Sequence, residues 1–175
     1  KPKELYIGVT HYFIFVGIIL LFLGTATDTI HHDIHPFLYG NVYLAQIALL
    51  DFGGLITIIG VAMASFRRYV QKPTRLDNKN EDAIALFLIL ILVLTGFLIQ
   101  AVRLADTRPL WEWWTPLGKV LSLAFGALSP GVLLIIHRSL WWFHAVLALG
   151  AIAYIGLRWN RLWHIFVSPM NIFSR

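Results

Sequence analysis

Histidine is the residue type in this sequence with the clearest potential for chemistry. Residues 129–164, SPGVLLIIHRSLWWFHAVLALGAIAYIGLRWNRLWH, place His144 and His164 near the two ends of one long apolar segment. An imidazole in hydrocarbon leaves polar nitrogens without partners, so a histidine inside a membrane span is a functional-site candidate by default. Imidazole is also an axial ligand of heme iron. Two such residues on one segment predict two cofactors.

The composition predicts where these histidines lie. The chain of 175 residues is 58% hydrophobic and 13% charged, which is usual for a polytopic membrane protein and unusual for a soluble domain. It contains no cysteine, which excludes disulfides, thiolate zinc sites and cysteine-ligated iron–sulfur clusters within this polypeptide. A metal would have to be held by histidine or carboxylate. The net charge of +5 does not indicate nucleic acid, because the basic residues fall in short loops. The expected surroundings are a lipid bilayer.

The apolar stretches predict the fold class. Residues 6–25, 42–66 and 83–104 are each apolar for about 20 residues or more, enough to cross a bilayer. A fourth stretch begins after Ser129, with Pro130 in the first turn of its helix. Residues 117–128 are too few to span alone and contain Lys119. We predict an all-α, polytopic transmembrane bundle of four spans, with a short interfacial helix before the last.

Charge predicts the orientation of the bundle. Residues 67–79, RRYVQKPTRLDNK, carry five basic side chains, so this loop is expected on the cytoplasmic side. Four spans place more of the 14 basic residues on that side than five spans would. The prediction is a multi-pass protein of the inner (cytoplasmic) membrane with both termini in the cytoplasm. The chain begins with Lys1 and ends with Arg175 just after an apolar run, which indicates a processed or partial chain.

This topology pairs the histidines by depth. His11 and His164 fall toward the cytoplasmic side, and His35 and His144 fall toward the outer side. Two imidazoles on opposite faces of a porphyrin give a six-coordinate iron, which suits electron transfer. The pattern predicts two b hemes with these four histidines as iron ligands. A hydrogen-bonded structural histidine is the alternative for each, and the alternatives to His35 as a ligand are His31, His32 and His137.

The spacing within the last segment is unusual. Twenty residues separate His144 from His164, which on an ideal helix leaves about 200° of rotation and opposite faces. Either the two hemes lie on opposite sides of the helix, or the helix is irregular. A π-bulge or break is expected at Gly156, before the polar run RWNR.

Several segments together resemble a known family. The first span (His11, Ile14, Phe15, Gly17, then LFLGT), the ending HIFVSPMNIFSR, and the segments RRYVQKPTRLDNKNED and WWFHAVLA carry the resemblance. They resemble the membrane cytochrome b domain shared by the gamma subunit of respiratory nitrate reductase and the heterodisulfide-reductase-like membrane proteins. The closer likeness is to the latter group, which includes the electron-transfer-flavoprotein:menaquinone oxidoreductases.

The resemblance implies bis-histidine b hemes, a quinone site and a cytoplasmic iron–sulfur partner, which in fused members follows where this sequence stops. Residues 1–175 would then be a single cytochrome b domain of a longer chain or complex. His11 and His164 resemble the ligands of the heme nearer the cytoplasm, His144 resembles a ligand of the outer heme, and His35 resembles a loop histidine. Leu21 stands where the nitrate-reductase pattern has a second histidine.

The resulting functional hypothesis is electron exchange between a cytoplasmic iron–sulfur protein or domain and the quinone pool, menaquinone or another quinone, in a respiratory oxidoreductase complex. The quinone pocket is expected beside the outer heme, near His35, Tyr39, Tyr43 and Gln46. Asp51 or Asp33 could relay protons, although Asp51 could equally pair with a neighbouring helix. The candidates to hold heme propionates, or else to anchor the helices at the interface, are Arg67 or Arg68, Arg103 and Arg138.

Two other function classes fit parts of the pattern. A membrane anchor without redox work would dock a soluble enzyme through the basic loop 67–79. A proton-linked transporter would use Asp51 and the histidines, but the sequence contains no internal repeat of the kind common in transporters.

Overall fold

The computed structural model describes residues 2–73 and 80–157. The α-helices within these two ranges are α1 (Pro2–Thr29), α2 (Gly40–Ser65), α3 (Asn80–Thr107), α4 (Pro116–Ser122) and α5 (Pro130–Leu157). Four helical stretches in the described ranges are long and apolar enough to cross a membrane: Glu4–His32, Gly40–Gln71, Asn80–Thr107 and Pro130–Tyr154. The apolar helix Pro116–Phe125 precedes the last of them. The predicted all-α bundle of four spans and one short helix is confirmed, and its architecture is that of a multi-pass membrane protein.

The helices follow from the need to satisfy backbone groups in hydrocarbon, where each N–H and C=O must bond within its own segment. α1, α3 and α5 have 28 residues each, about 42 Å at 1.5 Å per residue. They therefore extend beyond the apolar stretches of the sequence into their polar flanks. α3 begins with Glu81 and Asp82 in its first turn, where negative charge is favourable. α5 begins at Pro130, as predicted.

The first connection differs from the sequence-based expectation. Residues 28–41, DTIHHDIHPFLYGN, have the charged and turn-forming composition that predicts a loop. In the structure, α1 instead continues through a π-helical turn, Ile30–Ile34. The helix ends at His35, which has φ −152° and ψ 119°. The physical reason is Pro36, because a proline pushes the preceding residue out of the helical region.

The irregular turns lie elsewhere than expected. A second π-helical turn, Phe66–Gln71, ends the second span, and Lys72 follows with φ 40°. α5 instead continues as an α-helix through Gly156 to Leu157. The break expected at Gly156 is therefore absent as far as Leu157, and the run RWNR lies outside the described residues.

Small residues set the packing of α1 on α2. A Cβ atom added to Gly17 would overlap Thr57 Oγ1, and one added to Gly53 would lie 3.0 Å from Leu20 Cβ. Such positions let two backbones approach closely. A Cβ added to Gly24, also on α1, would overlap the side chain of Leu50 on α2. Gly8 has nothing within 4 Å of an added Cβ.

α3 is the central helix of the bundle, since it packs against α2, α4 and α5. Phe97 fills the space beside Gly54, whose added Cβ would lie 2.5 Å from the ring. On the other side, a buried cluster joins α3 to α5; it consists of Val102, Ala105 and Leu133, with Phe125, Ile136 and Leu140 around them. α1 packs on α2, so the helices follow the order α1, α2, α3, α5 across the bundle.

The short helix α4 contains one charge in an apolar segment. Lys119 Nζ lies 2.7 Å from Glu112 Oε1 and 2.9 Å from the centroid of the Trp113 ring. Both contacts stabilise the ammonium group away from bulk water. These contacts explain how the short apolar helix accommodates Lys119.

Candidate functional site

His144 is the candidate ligand that the structure places inside the bundle. Its half-buried ring lies on the face of α5 that packs against α3. His144 Nδ1 is 2.8 Å from Thr95 Oγ1, and Cε1 would lie 3.6 Å from a Cβ added to Gly96. An imidazole held through Nδ1 keeps Nε2 for another partner, which is the usual arrangement of a metal-ligating histidine. The donor chemistry of this position therefore fits a heme iron on one side.

The depth of His144 follows from the contacts between helices. Thr95 lies two residues from Phe97, and Phe97 packs at Gly54. Gly54 is 14 residues into α2 from Gly40, so this level lies about 21 Å along the helix from its start. His144 therefore lies near the middle of the bundle.

His35 lies at the end of the bundle. It forms the extended residue between the π-helical turn of α1 and Pro36, with an exposed side chain. About 20 Å along the bundle axis separates this connection from the level of His144. Two histidines that bound one iron would both have to reach it with an imidazole nitrogen. The structure does not bring His35 and His144 into that relation, because α1 extends further toward this end than the sequence indicated.

The remaining candidate ligands are separated. His11 is exposed on α1, about 120° around the helix from Gly17, which faces α2. His137 is half-buried on α5, two turns before His144. His164 lies outside the described residues. No set of three or more histidine, cysteine or acidic side chains converges as a metal site within residues 2–73 and 80–157.

His31 stabilises the connection between α1 and α2. Its Nδ1 accepts the backbone N–H groups of Phe37 and Leu38, both at 3.0 Å. His32 Nδ1 instead lies 3.1 Å from Asp28 O, within the same helix. Sequence reasoning treated both as polar loop residues or spare ligands. The signal for the structural role of His31 is Pro36, whose turn brings the following N–H groups back to the helix end.

An aromatic cluster extends from His31 toward the connection between α3 and α4. The ring centroids of His31 and Tyr43 are 5.9 Å apart, and those of Tyr43 and Trp111 are 5.5 Å apart. Tyr39 also contacts His31, at 5.8 Å between centroids. The guanidinium carbon of Arg103 lies 5.8 Å from the Trp111 ring centroid. The cluster thus combines flat apolar faces with one cation.

An open groove of about 430 Å³ adjoins this cluster, which we call the aromatic groove; its lining residues are Gly40, Tyr43, Leu44, Leu110, Trp111 and Trp114. Its volume is in the range of sites for small molecules, and its lining is predominantly apolar. Tyr43 was predicted for a quinone pocket and lines the groove. Trp111 and Trp114 lie in a segment rich in Trp and Pro, whose composition predicts an interfacial belt. Sequence spacing does not show that this segment folds back toward α2.

Gln46 carries an unpaired acceptor. Its Nε2 donates to Gly24 O and to Thr27 Oγ1, each at 3.0 Å. Its Oε1 is buried and has no hydrogen-bond partner among the described residues. A buried carbonyl without a donor is costly, so a bound molecule or water with an O–H group would be favoured there.

Asp51 is engaged by the short helix α4. The side chain is 4% exposed, and its two oxygens accept the N–H groups of Leu117 at 3.1 Å and Gly118 at 3.0 Å. Of the two interpretations of Asp51 left open by the sequence, these contacts support pairing with a neighbouring helix.

The basic candidates have different surroundings. Arg68 Nη1 lies 2.8 Å from Asp82 Oδ2, which joins the end of the second span to the start of α3. Arg67 beside it is half-buried, Arg103 contacts Trp111, and Arg138 is exposed on α5. The contacts with Asp82 and Trp111 fit the anchoring interpretation for Arg68 and Arg103.

The chain is similar to segments of two larger proteins. It is 37% identical over 175 residues to an EtfAB:quinone oxidoreductase of Syntrophomonas wolfei. The aligned region covers 94% of this chain and 24% of that protein. It is 25% identical over 169 residues to a probable iron-sulfur-binding oxidoreductase, FadF, of Bacillus subtilis. That aligned region covers 95% of this chain and 24% of FadF. The chain thus spans about a quarter of the length of these relatives. No family model and no solved structure matches it significantly.

Proposed function

We propose that this chain is the membrane electron-transfer part of a quinone oxidoreductase, carrying electrons between an iron–sulfur protein or domain and quinone in the bilayer through b-type heme. The observation that carries the proposal is His144, an imidazole at mid-depth in a transmembrane bundle with one ring nitrogen anchored and the other left for iron. The names of the two similar proteins, a quinone oxidoreductase and an iron-sulfur-binding oxidoreductase, support the same reaction class.

The heme ligands are assigned by depth. His144 supplies an iron ligand at the level of Thr95, and His11 and His164 supply a pair nearer the cytoplasmic side, as the family resemblance implies. We do not propose His35 as the partner of His144, because a separation of about 20 Å along the bundle axis is expected from the helical rise. When bound, heme would supply a one-electron carrier within the hydrocarbon region.

The aromatic groove is the proposed quinone site. A quinone ring is flat and apolar with two carbonyl acceptors, so it fits between Tyr43, Trp111 and Trp114. Interconversion of quinone and quinol takes two electrons and two protons, so the site also needs polar groups. The Tyr43 hydroxyl can donate to a quinone oxygen.

The proposed orientation follows the basic end of the bundle. The second span ends in the sequence RRYVQK, with Arg68 bonded to Asp82 at the start of α3. The positive-inside rule assigns this end to the cytoplasm. Both the iron–sulfur partner and the termini would then lie on that side of the cytoplasmic membrane, and the aromatic groove would lie at the opposite face.

The test is a reduced-minus-oxidised spectrum and a heme count for the purified chain in detergent. We expect b-type absorption, loss of one heme in His144→Ala, loss of one heme in His11→Ala, and an unchanged count in His35→Ala. His32→Ala removes an exposed imidazole that the sequence offered as an alternative ligand, and it is also expected to leave the count unchanged.

Absence of b-type absorption would contradict the proposal. If the complex assembles fully without heme, and every histidine variant assembles as the unaltered chain does, the result would favour a non-redox membrane anchor instead. Loss of heme in His35→Ala with retention in His144→Ala would overturn the assignment by depth.

A further inference from the structure

We propose that Thr95 is the positioning residue of His144, because its hydroxyl oxygen accepts the imidazole Nδ1–H and thereby keeps Nε2 unprotonated for iron. This inference rests on the ligation of heme by His144 proposed above. The 2.8 Å contact joins α3 to α5, and Thr95 is buried, with 6% of its surface exposed. Such a side-chain hydrogen bond between two spans is protected from competition with bulk water.

The direction of this hydrogen bond follows from the protons available. Thr95 Oγ1 lies 2.8 Å from Ile91 O and 3.0 Å from Leu92 O, and carbonyl oxygens only accept. A hydroxyl has a single proton, and we assign it to one of these carbonyls, to which the hydroxyl geometry points. With this assignment the oxygen acts as an acceptor toward His144, and the imidazole donates from Nδ1. In a neutral imidazole this leaves the lone pair on Nε2.

The backbone of α3 also restricts the orientation of the ring. A Cβ added to Gly96 would lie 3.6 Å from His144 Cε1, which is ordinary van der Waals contact. The imidazole is therefore held against α3 along its Nδ1–Cε1 edge. Rotation about the Cβ–Cγ bond would break the bond to Thr95, so the tautomer and the ring orientation are fixed by the same contact.

A ligand held in this way has a predictable effect on the iron. Donation from Nδ1 raises the basicity of Nε2, and removal of such an outer partner typically weakens metal binding by about 10- to 100-fold. A more basic imidazole favours the ferric form, which carries the higher charge. Removal of the Thr95 oxygen should therefore raise the midpoint potential of the heme bound by His144. A tenfold loss of heme affinity that is confined to the ferric form raises the midpoint potential of a one-electron couple by about 59 mV.

The experiment is a redox titration of the b-type absorption of the purified chain. Thr95→Val removes the acceptor with little change of shape. We expect the midpoint potential of one heme to rise by an amount equivalent to a loss of about tenfold in ferric heme affinity. Thr95→Ser retains a hydroxyl and should keep the wild-type potential. Thr57→Val is the matched control, because Thr57 is fully buried and bonds back to Gly53 O at 2.7 Å, but it lies at the α1–α2 contact.

The outcomes separate this inference from the proposed function. Wild-type protein without b-type absorption would remove both. If the wild-type protein shows b-type absorption but Thr95→Val leaves the midpoint potentials unchanged, this inference alone is overturned. The same holds if the midpoint potential shifts equally in Thr95→Val and Thr95→Ser, or equally in Thr95→Val and Thr57→Val. If Thr95→Val does not accumulate, Thr95→Ala in the same titration tests the loss of the hydroxyl with a smaller side chain.

Discussion

Asp51, near the middle of the second span, and Gly118, in the first turn of α4, are joined by a 3.0 Å hydrogen bond from the glycine N–H to Asp51 Oδ1. The other carboxylate oxygen accepts the N–H of Leu117. The first N–H groups of a helix have no intrahelical acceptor, so one buried carboxylate satisfies two of them. Asp51 thereby attaches the short helix α4 to the membrane bundle.

Replacement of this carboxylate should destabilise the bundle. In Asp51→Ala both N–H groups lose their acceptor, and each buried unsatisfied group costs about 1–3 kcal/mol. Asp51→Asn keeps one carbonyl oxygen and should give an intermediate loss. The measurement is thermal unfolding in detergent, with Asp28→Ala as the control because the Asp28 side chain is 34% exposed. An unchanged melting temperature in Asp51→Ala would contradict the attachment.

Gly17 should be intolerant of a side chain. A Cβ there meets Thr57 Oγ1 and lies 2.9 Å from Gly53 O, so Gly17→Ala should cost about 1–3 kcal/mol through overpacking. Gly150→Ala is the matched control, since nothing lies within 4 Å of its added Cβ; it should be neutral or stabilise the helix by about 0.5–1 kcal/mol. Partial rescue of Gly17→Ala by Thr57→Ala would locate the clash at this pair. Equal melting temperatures of Gly17→Ala and Gly150→Ala would rule the clash out.

Trp111 should contribute to binding in the aromatic groove. Trp111→Leu removes the flat face beside Tyr43, and an aromatic pair contributes about 0.5–1.5 kcal/mol beyond its buried area. We expect the Kd of a water-soluble quinone analogue to rise by up to about tenfold. Isothermal titration calorimetry measures this without any electron donor. Trp142→Leu, on an exposed part of α5, should bind as the unaltered chain does; a parallel loss in both variants would count against the groove.

Arg68 and Asp82 should be energetically coupled. Their 2.8 Å contact is only partly exposed, at 16% and 22% of the side-chain surfaces. A double-mutant cycle of Arg68→Gln and Asp82→Asn in chemical or thermal unfolding should give a coupling of about 0.2–1 kcal/mol that decreases with added salt. Arg138→Gln with Asp82→Asn serves as an uncoupled control pair. Additivity of the first pair would show that the contact does not stabilise the protein.

The sequence was sufficient for the spans and their order. Runs of about 20 apolar residues must form helices in hydrocarbon, because each backbone group can find a partner only in its own segment. The positions of the short helix and of Pro130 at the start of the last span followed from the same local rules. Histidine inside such a span was identifiable because an imidazole in hydrocarbon needs a partner, and this pointed to His144 before any contact was known.

The tertiary structure alone decided which of these residues share a depth and a face. Thr95 and His144 are 49 positions apart in the chain, and Asp51 and Gly118 are 67 apart, yet both pairs are in contact. The axial register and rotation of each helix are set by close approaches such as Gly17 to Thr57 and Gly54 to Phe97. Helical periodicity within one segment contains no information on its register against another, so His35 could be matched with His144 in sequence although the bundle places them at different depths.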